Sequence, residues 1–94
     1  MSPWPKAPTT PSSFFNGTQY TTKVTNQMQL DVYHGFPSLI EKNASAGAVR
    51  TITGRDGVTR DMLEVRGAIN GKPGTYEFIR EPDGMINHRF FRGD

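Results

Sequence analysis

The sequence predicts an α+β domain, with N-terminal helices packed on a four-stranded antiparallel β-meander. Three observations carry that reading. Apolar residues between Tyr20 and Val32 recur near helical spacing. After Gly47 the pattern changes to short alternating runs rich in β-branched and aromatic residues. Those runs are punctuated by the turn signals "GRDG", "NG" and "PDG".

Residues 1–15 read as a flexible tail or linker, because "MSPWPKAPTTPSS" concentrates Pro, Ser and Thr. Such a segment fits a domain joined to something longer. Residues 16–94 then form one α+β domain. Its first helix is expected from about Thr18 to Val32, capped by Asn16 or Thr18, with Tyr20, Val24, Met28 and Leu30 or Val32 on one side. Its threonines make it weak alone, so packing must hold it. Gly35 ends it, and Pro37 opens a second short helix, Pro37 to Asn43, anchored by Leu39 and Ile40. The strands are expected at "AVRTIT", "VTRDMLEVRGAI", "GTYEFIRE" and "MINHRFF". Asn70–Gly71 is the strongest hairpin signal, and Pro82–Gly84 fits a bulged three-residue loop.

Turn type fixes register, and register decides which side chains share a face. A two-residue loop at Asn70–Gly71 sets Leu63 opposite Phe78 and Val65 opposite Tyr76. The "RDG" and "PDG" loops set Val49 opposite Leu63, Phe78 opposite His88 and Tyr76 opposite Phe90. The helix-facing side then carries Val49, Leu63, Val65, Tyr76, Phe78, Ile86 and Phe90. The other side carries Glu64 opposite Glu77, Glu77 opposite Arg89, Arg66 opposite Thr75, and Arg50 opposite Met62. Neighbouring strands are about 4.8 Å apart, so two carboxylates and three guanidinium groups form a compact cluster.

That cluster has a plain structural explanation, a solvated sheet face with cross-strand ion pairs worth roughly 0.2–1 kcal/mol each. It also has a chemical one. Adjacent carboxylates raise one another's pKa and arginines lower it, so a general base can stand beside cations that stabilise a developing phosphorane. Arg89 is expected on this charged face and His88 on the helix side; a one-residue slip exchanges the two. His34, in the loop after the first helix, can reach the sheet edge and serve as the general acid. Lys72 reads most simply as turn-flanking and Tyr76 as core.

Composition narrows the classes. The chain has 94 residues, a net charge of +2 and a sequence pI near 9.2, which permits an anionic partner without demanding one. It has no cysteine, which excludes disulfides and thiolate metal sites, and its two histidines form no local metal motif. No apolar run approaches a membrane span, and the N-terminus lacks the signal-peptide pattern. No metal or cofactor is expected.

The pieces "HGFP", "GRDGVTR..LEVRG", "NGKPGTYEFI" and "INHRFF", spread over Tyr33 to Phe91, resemble C-terminal toxin domains of bacterial polymorphic and contact-dependent growth inhibition proteins. Many of those are similar to the barnase–EndoU–colicin–RelE group of ribonucleases. The resemblance implies N-terminal helices on one face of a four-stranded antiparallel sheet and an active site on the open face. It implies a metal-independent endoribonuclease toxin acting on tRNA or another cellular RNA. Such a protein is secreted or delivered into the cytoplasm of a target bacterium and is neutralised by a cognate immunity protein, otherwise remaining a monomer. Carried onto this chain, the catalytic candidates are His34, His88, Glu77 and Arg89. The substrate-binding candidates are Arg50, Glu64, Arg66 and Thr75. Two features depart from the group: the low net charge, and the absence of a local motif of two close histidines and a lysine.

The alternative is a non-catalytic RNA- or protein-binding module that uses the open sheet face, with bases stacking on Tyr76, Phe78, Phe90 or Phe91. Only Phe91 faces the arginines in the expected register. A small structural domain is a third reading. A glycosidase also needs two carboxylates, but a domain this short offers little room for a sugar cleft.

Overall fold

A computed structural model describes residues 9–94. It corrects the expected fold class. One five-stranded mixed sheet dominates, accompanied by two short helices. Strand β1 is Gln19–Tyr20, β2 Ala48–Thr53, β3 Thr59–Ile69, β4 Lys72–Arg80 and β5 Met85–Gly93. Their order across the sheet is β1-β5-β4-β3-β2. Strands β2 to β5 form the expected antiparallel meander, and β1 adds in parallel to β5 through the register Gln19↔Met85 and Tyr20↔Ile86.

The helices are shorter than their spacing predicts. Helix α1 spans Thr22–Gln27 and α2 spans Leu39–Lys42. Thr21 caps α1 by accepting from the Val24 amide at 3.2 Å. Two competing demands truncate the segment. Residues 19–20 satisfy their backbone against β5, where the Gln19 and Thr21 amides donate to the Gly84 and Ile86 carbonyls. Beyond Gln27, Leu30 and Val32 are exposed, so no apolar stripe holds the chain helical. Gly35 closes this loop so tightly that a Cβ there would lie 2.0 Å from the Met28 carbonyl oxygen.

The turns behave as the sequence predicts. Asn70 and Gly71 both have positive φ, 51° and 78°, the signature of a type I′ hairpin turn. The loops Arg55–Gly57 and Pro82–Gly84 share one design. In each, an aspartate, Asp56 or Asp83, accepts from the amide two residues on, and a left-handed glycine follows. The β2–β3 and β3–β4 registers therefore match expectation: Val49↔Leu63, Arg50↔Met62, Leu63↔Phe78, Glu64↔Glu77, Val65↔Tyr76 and Arg66↔Thr75.

The β4–β5 register does not. It begins as expected with Arg80 opposite Ile86, and then a bulge between Ile79 and Arg80 shifts it. Asn87 is the extra residue, and its amide donates to a Glu81 carboxylate oxygen. Beyond it, Ile79 faces His88, Phe78 faces Arg89, Glu77 faces Phe90 and Tyr76 faces Phe91. Every side chain from His88 onward thus changes sides. Arg89 and Phe91 go under the helices, and His88, Phe90 and Arg92 go to the open face.

The core lies on the helix side. It joins Leu63, Val65, Tyr76, Phe78, Ile86 and Phe91 from the sheet to Phe14, Phe36 and Ala44 from the connections. Phe91 takes the place expected of Phe90. Rings interlock edge-on, with Phe36 4.7 Å from Tyr76 and Phe15 4.9 Å from Phe78. Each fully buried phenylalanine contributes about 1.5–3 kcal/mol. Of the segment read as a tail, residues 1–8 lie outside the described residues. Pro11–Ser13 forms a 3-10 turn with a capping box at Thr10, and Phe14 is fully buried. Among the described residues no helix is long and apolar enough to cross a membrane.

Candidate functional site

The open face of the sheet is ordered by ion pairs. Arg92 Nε donates to Glu77 Oε2 at 2.7 Å, and an Arg92 Nη2 lies 3.8 Å from Glu64 Oε2. Arg50 Nε donates to Glu64 Oε1 at 2.8 Å. The directly opposed glutamates Glu64 and Glu77 would repel each other; Arg92 bridges them. Glu77 and Thr75 are nearly buried although they face outward, and each accepts from an arginine, Glu77 from Arg92 and Thr75 from Arg66. Arg66 donates to Thr75 Oγ1 and, bidentately, to both oxygens of Asp94. That clamp holds the Asp94 carboxyl below its ordinary range.

Both histidines belong to this face. His88 Nε2 lies 3.2 Å from Glu77 Oε1. His34 Nδ1 lies 3.0 Å from Asp31 Oδ1, and the His34 amide donates to the same oxygen at 3.0 Å. Hydrogen bonding from the His34 side chain lowers the Asp31 pKa. Each imidazole therefore has one nitrogen fixed by a carboxylate. Its other nitrogen has no hydrogen-bond partner among the described residues. A carboxylate that orients an imidazole in this way is a recurrent device of acid–base sites. Both rings lie next to Phe90, with centroids 5.2 Å away for His34 and 6.1 Å for His88.

His34 reaches this position because its loop is fastened to the edge of β5. The Phe91 amide donates to the Tyr33 carbonyl at 2.8 Å. From the other side of the sheet, Arg89 reaches through the same edge. Its Nη1 donates to the His34 carbonyl and its Nη2 to the Phe36 carbonyl, at 2.5 and 2.8 Å. Its Nε and Nη2 both donate to Glu41 Oε1, and its guanidinium lies 3.7 Å over the Phe36 ring. Tyr20 completes the group by donating to Glu41 at 2.5 Å. Burial, followed by the Glu41 hydrogen bond, pushes the Tyr20 hydroxyl far above its ordinary pKa.

Arg89 is thus 1 % exposed with all three nitrogens engaged. It is a structural anchor, which corrects its assignment to the charged open face and to phosphate. The cause is the single extra residue at Asn87. Of the other candidates, Arg50, Glu64, Arg66, Thr75, Glu77 and His88 share the open face, and His34 joins them at its edge. Two side chains of this face escaped the sequence argument. Arg92 holds the central place expected of Arg89, and Asp31 orients His34. The Asp31–His34 spacing of three residues in a tight loop was a usable signal for the second; nothing in the local pattern announced the bulge that brings in Arg92.

A separate small pocket of about 150 Å³ lies on the helix side, lined by Phe15, Thr18, Gln19, Tyr20, Glu41 and Ile86. Its carboxylate is already committed to Arg89. Among the described residues no three His, Cys, Asp or Glu side chains converge as a metal site. Compared with protein-family models, curated proteins and solved structures, the chain matches none.

Proposed function

We propose that this chain is a metal-independent endoribonuclease toxin domain whose active site is the open face of the sheet. The observation that carries the reading is a pair of carboxylate-held imidazoles on one face, both next to Phe90, with His88 and Arg92 sharing Glu77. RNA cleavage through the 2′-hydroxyl needs a base, an acid and a cation. One imidazole takes the 2′-hydroxyl proton as the O2′–P bond forms. The other donates a proton to the 5′-oxygen as the P–O5′ bond breaks. The products are a 2′,3′-cyclic phosphate and a 5′-hydroxyl. Charge on the phosphorane oxygens falls to Arg92 on β5, while Arg66 on β3 and Arg50 on β2 lie farther across the same face, placed for neighbouring phosphates of the strand. These arginines are more than half exposed, so Arg50 and Arg66 can turn to phosphate at small cost, and Arg92 at the larger cost of leaving the nearly buried Glu77 without its guanidinium. The resemblance to secreted bacterial toxin domains supports the same reading, together with an immunity protein as partner.

Incubating the purified domain with total bacterial RNA in EDTA tests the reading. The expected result is discrete fragments ending in 2′,3′-cyclic phosphate, lost in His34→Ala and His88→Ala. Intact RNA with the domain folded would move the assignment to a binding module on the same face. Such a module would retain RNA without cutting it.

A further inference from the structure

We propose that Phe90 is the floor of a nucleobase subsite, on which a single unpaired base of the RNA strand stacks; the proposal rests on reading the open face as an RNA surface. Apart from the His88 imidazole, Phe90 is the only ring that strands β2 to β5 turn to this face; their other rings, Tyr76, Phe78 and Phe91, are buried under the helices. It is absent from that core, and it remains half-buried, with part of its ring open to solvent. The imidazoles beside it are tilted by 45° and 54°, so neither lies flat over its ring. A base placed there would set its own sugar and phosphate within reach of His34 and His88. The exposed guanidinium groups of Arg92, Arg50 and Arg66 supply the charge complementary to the strand. Stacking on an aromatic ring tolerates any base, because every base has a π-face. The subsite therefore selects unpaired RNA rather than a sequence.

The test uses short fluorescein-labelled strands with 2′-O-methyl riboses, which block the nucleophile so that binding is read without cleavage. One strand is abasic throughout, and the other carries a single adenine among abasic positions. At fixed low salt, the adenine should tighten binding to the wild-type protein about ten-fold by fluorescence anisotropy. It should do the same for Phe90→Trp and do nothing for Phe90→Leu. An equal gain in Phe90→Leu would overturn the subsite, as would no gain in the wild type. Because both strands are compared on each protein, a general loss of stability in Phe90→Leu cancels out. The cleavage assay reports separately. Phe90-dependent binding with intact natural RNA would keep the subsite and remove the ribonuclease. Cleavage with Phe90-independent binding would do the reverse.

Discussion

Arg89 and Arg92 lie three residues apart on β5, and each contacts a glutamate oxygen at 2.7 Å. Their surroundings differ in almost every other respect. Arg89 is out of water, stacked on Phe36 and bonded to two loop carbonyls as well as to Glu41. The Arg92 side chain is 53 % exposed and divides its charge between two glutamates. The first arrangement has no slack and holds structure; the second can exchange partners and is suited to binding an anion. The same chemical pair therefore serves opposite ends on the two faces of one sheet. What decides between them is desolvation of the guanidinium: Arg89 has no water to replace a lost partner, whereas Arg92 has, although the Glu77 it pairs with is nearly buried.

The largest effect should come from breaking the buried side. Arg89→Ala leaves the His34 and Phe36 carbonyls without their side-chain donor and Glu41 with Tyr20 alone. It is expected to lower unfolding free energy by about 3–5 kcal/mol in urea denaturation. Replacing both partners, Arg89→Met with Glu41→Leu, should recover only part of this, because the two carbonyls stay unpaired. Full recovery would show that the pair alone, and not its grip on the loop, holds the fold.

On the open face the prediction inverts. His34→Ala and His88→Ala should each slow RNA cleavage by roughly 10²–10⁴-fold, the range for a lost general acid or base. Thermal melting should change little. A variant that melts early and cleaves normally would place that histidine in the scaffold.

The bulge offers a sharper and smaller test. Asn87 is the residue without a cross-strand partner, so deleting it should give a regular hairpin with the same side chains on each face. The expected loss is about 1 kcal/mol for the Glu81 hydrogen bond. Backbone exchange mapping should still find Arg89 inward. Arg92→Ala should lower the melting temperature by only a few degrees while weakening RNA binding and reducing its salt dependence.

The weakest effect concerns acid. Arg60 hydrogen bonds hold Asp56 down to about 2, from an ordinary 3.8. Asp31 and Asp94 are lowered too, by His34 and Arg66 respectively. All three folded-state values lie below the unfolded ones. Their stabilisation is therefore complete above the ordinary carboxylate range and fades as pH falls toward about 2. Melting temperature should decline modestly across that window, and Arg60→Ala should flatten the Asp56 share of the decline.

Much of the sheet was legible because turns are local. Asn70–Gly71, Arg55–Gly57 and Pro82–Gly84 each carry residues that adopt positive φ readily, and each turn sets the pairing that follows it. Hence Arg50, Glu64, Arg66, Thr75 and Glu77 were placed together on one face from the sequence. The first helix was not legible. Its threonines and its spacing around Val24 point weakly to a helix, but the pairing of Gln19–Tyr20 with β5 wins, and no core contact rewards Leu30 or Val32.

By itself, then, the amino-acid order determined the meander, its turns and most of its two-faced pattern, since all of these follow from contacts between near neighbours in the chain. Only the tertiary structure decided which way Arg89 and His88 point. That choice depends on one extra residue at Asn87. Once the strand is shifted, the shift is reinforced by partners 48 to 69 positions away, Glu41, Phe36, His34 and Tyr20, that no local pattern brings into view. A buried guanidinium is tolerable only where such distant acceptors converge on it, so its address is a property of the folded whole.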